Sequence, residues 1–342
     1  MQARGDSTAM RPANTHSMRY YTSWGLITIL ALIVACSTGN ATALSRAPEA
    51  TRVREACLDF NGDHRLNDAD AADLRKVPDF DGNGKRDDQD AALIRGLDIP
   101  LDPDREHETC VNKPSNIGPE FFIAHPAGKA APVDCSSSRP AFLLFGVGGG
   151  IVNLDDKSDA AGVRSMIDGL QRAYEDRGAQ TIAVIAGPLM DGAAQVHGGA
   201  ELFLTHAATV LLERYPCMRA VFLGHSHGAV SVDVVSSHLE GQYADRVVDV
   251  VDVDRHPELY TGDTTSRPTR VHVFNIYQTN DGSAPGTAYD ASNAENWDAS
   301  SEQAPENGDK GGALKPVSHT TIDNSEAVKQ RIVSEEVARA RL

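Results

Sequence analysis

The sequence has no basic stripe. Its 342 residues carry 32 Lys and Arg against 48 Asp and Glu, a formal net charge of −16. Nothing in that balance would neutralise a phosphate backbone, so no nucleic-acid partner is expected. Long apolar runs are also missing. The longest stretch of that kind runs from Trp24 to Ala35 and is too short for an ordinary membrane span. Cysteine is scarce: there are five, and no pair has metal-ligand spacing. What is present is apolar content of 41%, enough for one sizeable core, in a length that allows one to three domains.

The N-terminal 17 residues are polar and read as unstructured, so Met18 is a second candidate start. Arg19 then leads the Trp24 to Ala35 run, which has the length of a signal-peptide core. The run ends in Ile33-Val34-Ala35-Cys36, which resembles a bacterial lipobox. That resemblance implies an exported lipoprotein, at the outer membrane or cell surface, with Cys36 as the lipidated first residue. The competing reading takes Ala41-Thr42-Ala43 as an A-x-A cleavage site and gives a freely secreted protein. The lipoprotein is preferred because Cys36 abuts the apolar run directly. Residues 1–36 are therefore read as signal peptide and 37–56 as linker.

A repeat with a period of 20 residues follows. Its first copy begins Asp59-Phe60-Asn61-Gly62-Asp63-His64-Arg65-Leu66-Asn67 and reaches Asp70. Its second begins Asp79-Phe80-Asp81-Gly82-Asn83-Gly84-Lys85-Arg86-Asp87 and reaches Asp90. Loop positions 1, 3, 5, 9 and 12 carry oxygen side chains, and Arg65 and Lys85 at position 7 can offer backbone carbonyls. That spacing wraps a chain around a hard cation, so two structural Ca²⁺ ions are expected, one per copy. Residues 57–98 resemble the type I dockerin repeat, a pair of calcium loop–helix units. The resemblance implies attachment to a cohesin-like protein. Two departures stand out. His64 replaces the glycine of position 6, and the recognition positions 10 and 11 read Asp68-Ala69 and Asp88-Gln89. A calcium-stabilised spacer is the alternative. Residues 99–139, rich in Pro, Asp, Lys and Ser, read as linker and lead-in, with one strand-like run at 120–124.

From residue 140 strand and helix patterns alternate. Strands are expected at 141–145, 181–185, 247–254 and 270–277, and helices at 160–176, 201–215 and 325–342. Alternation of this kind implies an α/β domain over 140–342, with a mostly parallel sheet covered by helices on both faces. Within it, Arg219-Ala220-Val221-Phe222-Leu223 runs into Gly224-His225-Ser226-His227-Gly228, and a helical pattern starts at once. Strand, tight turn and helix around G-x-S-x-G make a nucleophile elbow, with Ser226 at the apex and glycines where side chains would collide. His225 and His227 are read as shaping the elbow, since immediate neighbours on such a turn point away from the serine hydroxyl.

Together these features resemble the α/β-hydrolase superfamily over about 200 residues. The resemblance implies a Ser-Asp-His triad in that chain order. His319, just before the final helix, stands where the family places its base; His238, His256 and His272 are the other downstream histidines. Asp281 is the preferred acid, after the strand at 270–277, with Asp252 and Asp254 on the preceding strand as rivals. The loop Gly146-Val147-Gly148-Gly149-Gly150 corresponds to the family's oxyanion loop. It lacks the spacing of a nucleotide-binding glycine loop. Gly148, Gly149 and the N–H of His227 are the expected oxyanion donors. Residues 282–315, which include Trp297, read as either a substrate flap or a surface loop.

With Cys36 set aside, an even number of cysteines in an exported chain suggests disulfides. Cys57–Cys110 would clip the ends of the repeat together. Cys135–Cys217 would lie before two strands that are neighbours in the resembling fold. The resulting expectation is an exported serine carboxylic-ester hydrolase with a calcium-binding attachment module and no catalytic cofactor. Its ester substrate could be polysaccharide-linked by analogy with dockerin-bearing enzymes. The alternative is a calcium-dependent adhesion or scaffold protein that carries an inactive hydrolase fold.

Overall fold

The β-branched and aliphatic runs of the C-terminal two-thirds lie side by side in one sheet. The structure is a computed structural model. It describes residues 53–57, 65–74, 77, 85–100, 120–124, 133–149, 158–186, 189–190, 196–197, 199–257, 265–282, 285–307 and 311–342. The strands are β1 (Val53–Cys57), β2 (Arg65–Asn67), β3 (Asp98–Pro100), β4 (Glu120–Ala124), β5 (Ala141–Val147), β6 (Gln180–Ala186), β7 (Leu189–Met190) and β8 (Val196–His197). They continue as β9 (Met218–His225), β10 (Val247–Val253), β11 (His272–Tyr277), β12 (Ala294–Asp298), β13 (Gln303–Pro305) and β14 (Leu314–Pro316). The helices are α1 (Asp88–Ala91), α2 (Ser158–Glu175), α3 (Gly199–Arg214), α4 (His227–Leu239) and α5 (Glu326–Ala340).

The main sheet has the order β1-β4-β6-β5-β9-β10-β11-β12. Six neighbouring strands, β6 through β12 in that order, are parallel. β4 pairs antiparallel with β6, and β1 antiparallel with β4. Parallel strands joined by helical crossovers must be covered on both faces, and here they are. Leu143, Phe145, Phe222 and Val250 pack with Phe203, Leu211, Val232 and Val235 of α3 and α4. The alternate residues Phe142, Leu144, Val221 and Val251 pack with Val163, Ile167 and Leu170 of α2 and Val328 and Ile332 of α5. The period-2 alternation of each strand thus assigns its residues to two separate cores.

Two parts differ from the sequence reading. Residues 282–315 are not one flap: they contain β12, paired with β11, and the strands of a β13–β14 hairpin. Trp297 lies on β12 and packs on the α2–α5 core. β12 is a polar edge strand, Ala-Glu-Asn-Trp-Asp, and side-chain hydrogen bonding helps hold it: Asn275 Nδ2 of β11 donates to Asn296 Oδ1 at 2.8 Å. β1, mostly in the segment read as linker, joins the sheet through β4.

In the Asp-rich repeat, Asn67 and Asp87 at position 9 begin the turns that follow the loops. Ala69 N donates to Asn67 Oδ1 and Asn67 N to Asp70 Oδ2, at 2.7 and 2.9 Å. In the second copy Gln89 N donates to Asp87 Oδ1 and Asp87 N to Asp90 Oδ2, at 2.9 and 3.0 Å. The two copies therefore share one local geometry, a reciprocal cap. Ala71, Val77, Ala91, Leu93 and Ile94 are buried in the same apolar cluster as Phe203, Leu204 and Ala207 of α3. His206 Nε2 of α3 donates to the Ala92 carbonyl at 2.8 Å. Among the described residues no helix is long and apolar enough to cross a membrane.

Candidate active site

Strand β9 runs through the middle of the sheet and ends at His225; helix α4 starts at His227. Ser226 between them has φ 58° and ψ −120°, a conformation that L-residues avoid and that functional turns hold under strain. The turn closes only because its flanks are glycine. A Cβ on Gly224 would lie 2.3 Å from the Gly228 carbonyl oxygen, and a Cβ on Gly228 2.1 Å from the Val147 carbonyl oxygen. The second clash shows that the end of β5 packs directly on the elbow.

Ser226 Oγ donates to His319 Nε2 at 2.8 Å. His319 Nδ1 donates to Asp254 Oδ2, also at 2.8 Å. Hydroxyl, imidazole and carboxylate are thus in line, each within hydrogen-bond reach of the next, an arrangement able to activate a serine hydroxyl. His319 lies in the loop between β14 and α5, and Asp254 directly follows β10, the strand beside β9.

This arrangement corrects the expectation for Asp281. The carboxylate on His319 is that of Asp254. Asp281 sits one turn beyond β11, where its backbone N–H donates to Gln278 Oε1 at 2.9 Å. The place after β11 that Asp281 was expected to serve is taken by Gln278, which turns the other end of its amide toward Asp254. Gln278 Nε2 donates to Asp254 Oδ2 at 2.9 Å, and Gln278 N to Oδ1 at 3.3 Å. Asp254 has φ 47°, and its N–H donates to the Ile276 carbonyl at 2.6 Å. That reversal swings its side chain out of the alternation that Asp252 follows.

Asp252, the other rival, faces α4 on the same side of the sheet as Val250. It is fully buried near Asp233 of α4, and burial together with the Asp233 charge pushes its carboxyl well above the usual range. Arg255 Nε bonds Asp233 Oδ2 at 2.7 Å, and Arg267 Nε lies 3.6 Å from the same oxygen. Burial still raises Asp233 to about 6. This pair lies under the site and does not touch His319.

The other histidines divide by geometry. His272 Nδ1 lies 2.9 Å from Asp249 Oδ1, away from Ser226. His256 N donates to the Ser226 carbonyl at 3.2 Å, and its ring stands edge-on to His319 with centroids 4.7 Å apart. Its place beside the base was not foreseen; its only signal in the sequence was being two residues beyond Asp254.

Gly149 packs against the nucleophile, so that a Cβ there would lie 3.0 Å from the Ser226 Cβ. His227 is the first residue of α4, and the first amides of a helix have no intrahelical acceptor. Gly149 and the His227 N–H therefore flank Ser226 at a helix N-terminus, where partial positive charge favours an anionic oxygen, while the Gly148 carbonyl packs against Gly228.

At the opposite end of these strands, Cys135 and Cys217 form a disulfide with Cα atoms 5.4 Å apart. They precede β5 and β9, which are neighbours. Cys36 and Cys110 lie outside the described residues, as do Asp59, Asn61, Asp63, Asp79, Asp81 and Asn83 of the loops. Among the described residues no group of three or more His, Cys, Asp or Glu gathers in a metal-binding arrangement.

No protein-family model and no curated protein matches the chain. Solved structures with a similar course include hydrolases. Est1E from Butyrivibrio proteoclasticus is 9% identical with a TM-score of 0.37, over 66% of this chain and 96% of that one. A dienelactone hydrolase from Anabaena variabilis is 14% identical with a TM-score of 0.31, over 49% and 71%. An α/β serine hydrolase without lid from Xanthomonas campestris is 14% identical with a TM-score of 0.30, over 46% and 66%.

Proposed function

We propose that this chain is an exported serine hydrolase that cleaves a carboxylic ester, with a calcium-binding repeat fixed to its catalytic unit. The observation that carries the reading is the unbroken line from Ser226 Oγ through His319 to Asp254, at 2.8 Å and 2.8 Å, on a strained elbow. Ser226 attacks the ester carbonyl while His319 Nε2 takes its proton. The carbonyl oxygen gains negative charge, which the N–H of His227 and the Gly148–Gly149 backbone receive. The tetrahedral intermediate collapses, His319 returns the proton to the leaving alcohol, and an acyl group remains on Ser226. Water, deprotonated by His319, then releases the acid and regenerates the serine. Asp254 keeps the proton of His319 on Nδ1 throughout and stabilises the imidazolium.

Calcium would be held by Asp59, Asn61, Asp63, Asn67 and Asp70 with the Arg65 carbonyl, and by Asp79, Asp81, Asn83, Asp87 and Asp90 with the Lys85 carbonyl. The shared cap geometry at positions 9 and 12 supports that assignment. A bound ion would tie the ends of each loop together and take no part in the chemistry. Lipidation at Cys36, a cohesin-like partner and a polysaccharide-linked ester belong to the same proposal and rest on sequence resemblance.

The test is turnover of short p-nitrophenyl esters together with labelling by a serine-directed phosphonate. Turnover and labelling that both vanish in Ser226→Ala support the reading. Wild-type protein that neither turns over nor labels would instead make the chain a scaffold with an inactive fold.

A further inference from the structure

His225 immediately precedes the nucleophile and has a relative exposure of 3%. Its ring sits at the junction of the three parts of the site. Nε2 lies 2.9 Å from the backbone carbonyl of His319. A carbonyl only accepts, so Nε2 carries the hydrogen. The other face meets the oxyanion loop: a Cβ on Gly149 would lie 3.1 Å from His225 Nδ1. Behind Nδ1 stands Asp323, with Oδ2 at 3.6 Å and no exposure to solvent. Asp323 follows His319 by four residues, so one short segment supplies both the carbonyl and the carboxyl that flank this imidazole. The carboxyl has its own support, because Asn324 Nδ2 donates to Asp323 Oδ1 at 2.9 Å. It also has room only because α2 has a glycine beneath it: a Cβ on Gly162 would lie 2.0 Å from Asp323 Oδ2.

His225 is too far from the reacting atoms to act as the base. Its ring centroid is 5.3 Å from that of His319, and it is Nε2 of His319 that meets Ser226 Oγ. Its role follows from where it is attached. Along the chain it is bonded to Ser226, and through space it is hydrogen-bonded to the backbone of the base. The distance between nucleophile and base is thereby set from both ends of one rigid ring. Asp254 orients the side chain of His319, and His225 anchors its backbone.

We propose that His225, through its Nε2–H bond to the His319 carbonyl, is a positioning residue that fixes the loop bearing His319 against the nucleophile elbow. This rests on the serine-hydrolase reading above. Burial supports it by pushing His225 down to about 3, so the ring stays neutral with a single hydrogen, on Nε2, at any working pH.

The test combines two variants with a spectroscopic readout. His225→Phe keeps ring volume and removes the donor; His225→Gln keeps an amide N–H where Nε2 was. His225→Phe should lower kcat about 10- to 100-fold with KM within about twofold, the scale expected when reacting groups are misplaced by about an ångström. It should also weaken the far-downfield proton signal of His319 Nδ1. His225→Gln should restore most of both. A kcat within threefold of wild type and an unchanged signal in His225→Phe would overturn the proposal, as would equal losses in the two variants. Should His225→Phe fail to fold, nitrogen NMR of the wild type decides: a His225 ring protonated on Nδ1 rather than Nε2 refutes the anchor. Phosphonate labelling of Ser226 is read separately. If wild-type protein does not label while the His319 signal still depends on His225, the hydrolase reading fails and the anchor stands.

Discussion

Asp254→Asn is the most informative substitution in the molecule, because three donors converge on its two carboxylate oxygens. His319 Nδ1 and Gln278 Nε2 both meet Oδ2, at 2.8 and 2.9 Å, and Gln278 N meets Oδ1 at 3.3 Å. An amide of the same shape has one oxygen and one NH₂. With the oxygen toward His319, the NH₂ faces the Gln278 N–H. With the NH₂ toward His319, it faces two donors. The cheapest relief is for His319 to move its proton to Nε2, which then points at Ser226 Oγ and can no longer accept. Loss of the correct tautomer should lower kcat about 10³- to 10⁴-fold, on the order of 4–5 kcal/mol in the barrier, with KM changed little. An unsatisfied buried donor should also cost about 1–3 kcal/mol of stability. The assay is kcat on a p-nitrophenyl ester beside the phosphonate labelling rate, with Asp281→Asn in parallel. Asp281 contributes a backbone N–H to Gln278 that the substitution leaves in place, so that variant should stay near wild type. A collapse in Asp281→Asn, or Asp254→Asn within tenfold of wild type, would refute the reasoning.

Ser226→Ala should abolish turnover and labelling while leaving the thermal midpoint near that of wild type, since alanine keeps the Cβ and with it the same strained φ. Asp252→Asn should leave kcat within a few-fold at neutral pH. Because burial raises the folded Asp252 well above its unfolded value, the native state holds a proton that the unfolded chain has lost, and wild-type stability falls as pH rises from about 4. The stability of Asp252→Asn relative to wild type should therefore increase with pH in denaturant titrations; a gap that shrinks would contradict the burial of a protonated acid. Calorimetry should find two calcium ions, and calcium at a hundredfold above Kd should stabilise the unit by about 2–3 kcal/mol per site with kcat unchanged. No heat, or kcat that falls with chelator, would count against that. Replacing Cys135 and Cys217 by Ala opens a link spanning 82 residues and should cost about 2–4 kcal/mol in denaturant titrations, with the active site intact; non-reducing peptide mapping that finds both thiols free would contradict the bridge itself.

What could be read from the sequence was what the chain writes locally. The elbow is one strand, one turn and one helix in succession, and its glycines are demanded by atoms within a few residues. His319 was legible because it is the one histidine between the strand expected at 270–277 and the last helix. β12 was not legible, since Ala-Glu-Asn-Trp-Asp has little strand character of its own. It is a strand because β11 is already there to pair with and Asn275 reaches Asn296. β1 was lost for the same reason: its partner β4 lies more than 60 residues away in the chain, beyond the Asp-rich repeat.

The acid shows most clearly where local reading ends. Asp252 and Asp254 stand two residues apart at the end of one strand, and period-2 alternation gives them the same face. In the fold their fates are opposite. Asp252 keeps to the alternation and enters the core beside Asp233, where a second carboxyl and low polarity favour holding its proton. Asp254 breaks the alternation through its positive φ and meets His319 and two donors from Gln278. A carboxylate can orient a base only where donors satisfy it in its charged form, and that supply comes from β11 and the His319 loop, not from β10. Arg255, between the acid and His256, bonds Asp233 on the helix that starts at the nucleophile. Three consecutive residues thus reach the base, the nucleophile's helix and the Ser226 carbonyl in turn. That is why the acid follows β10: the strand beside the elbow is the one whose end can touch all three.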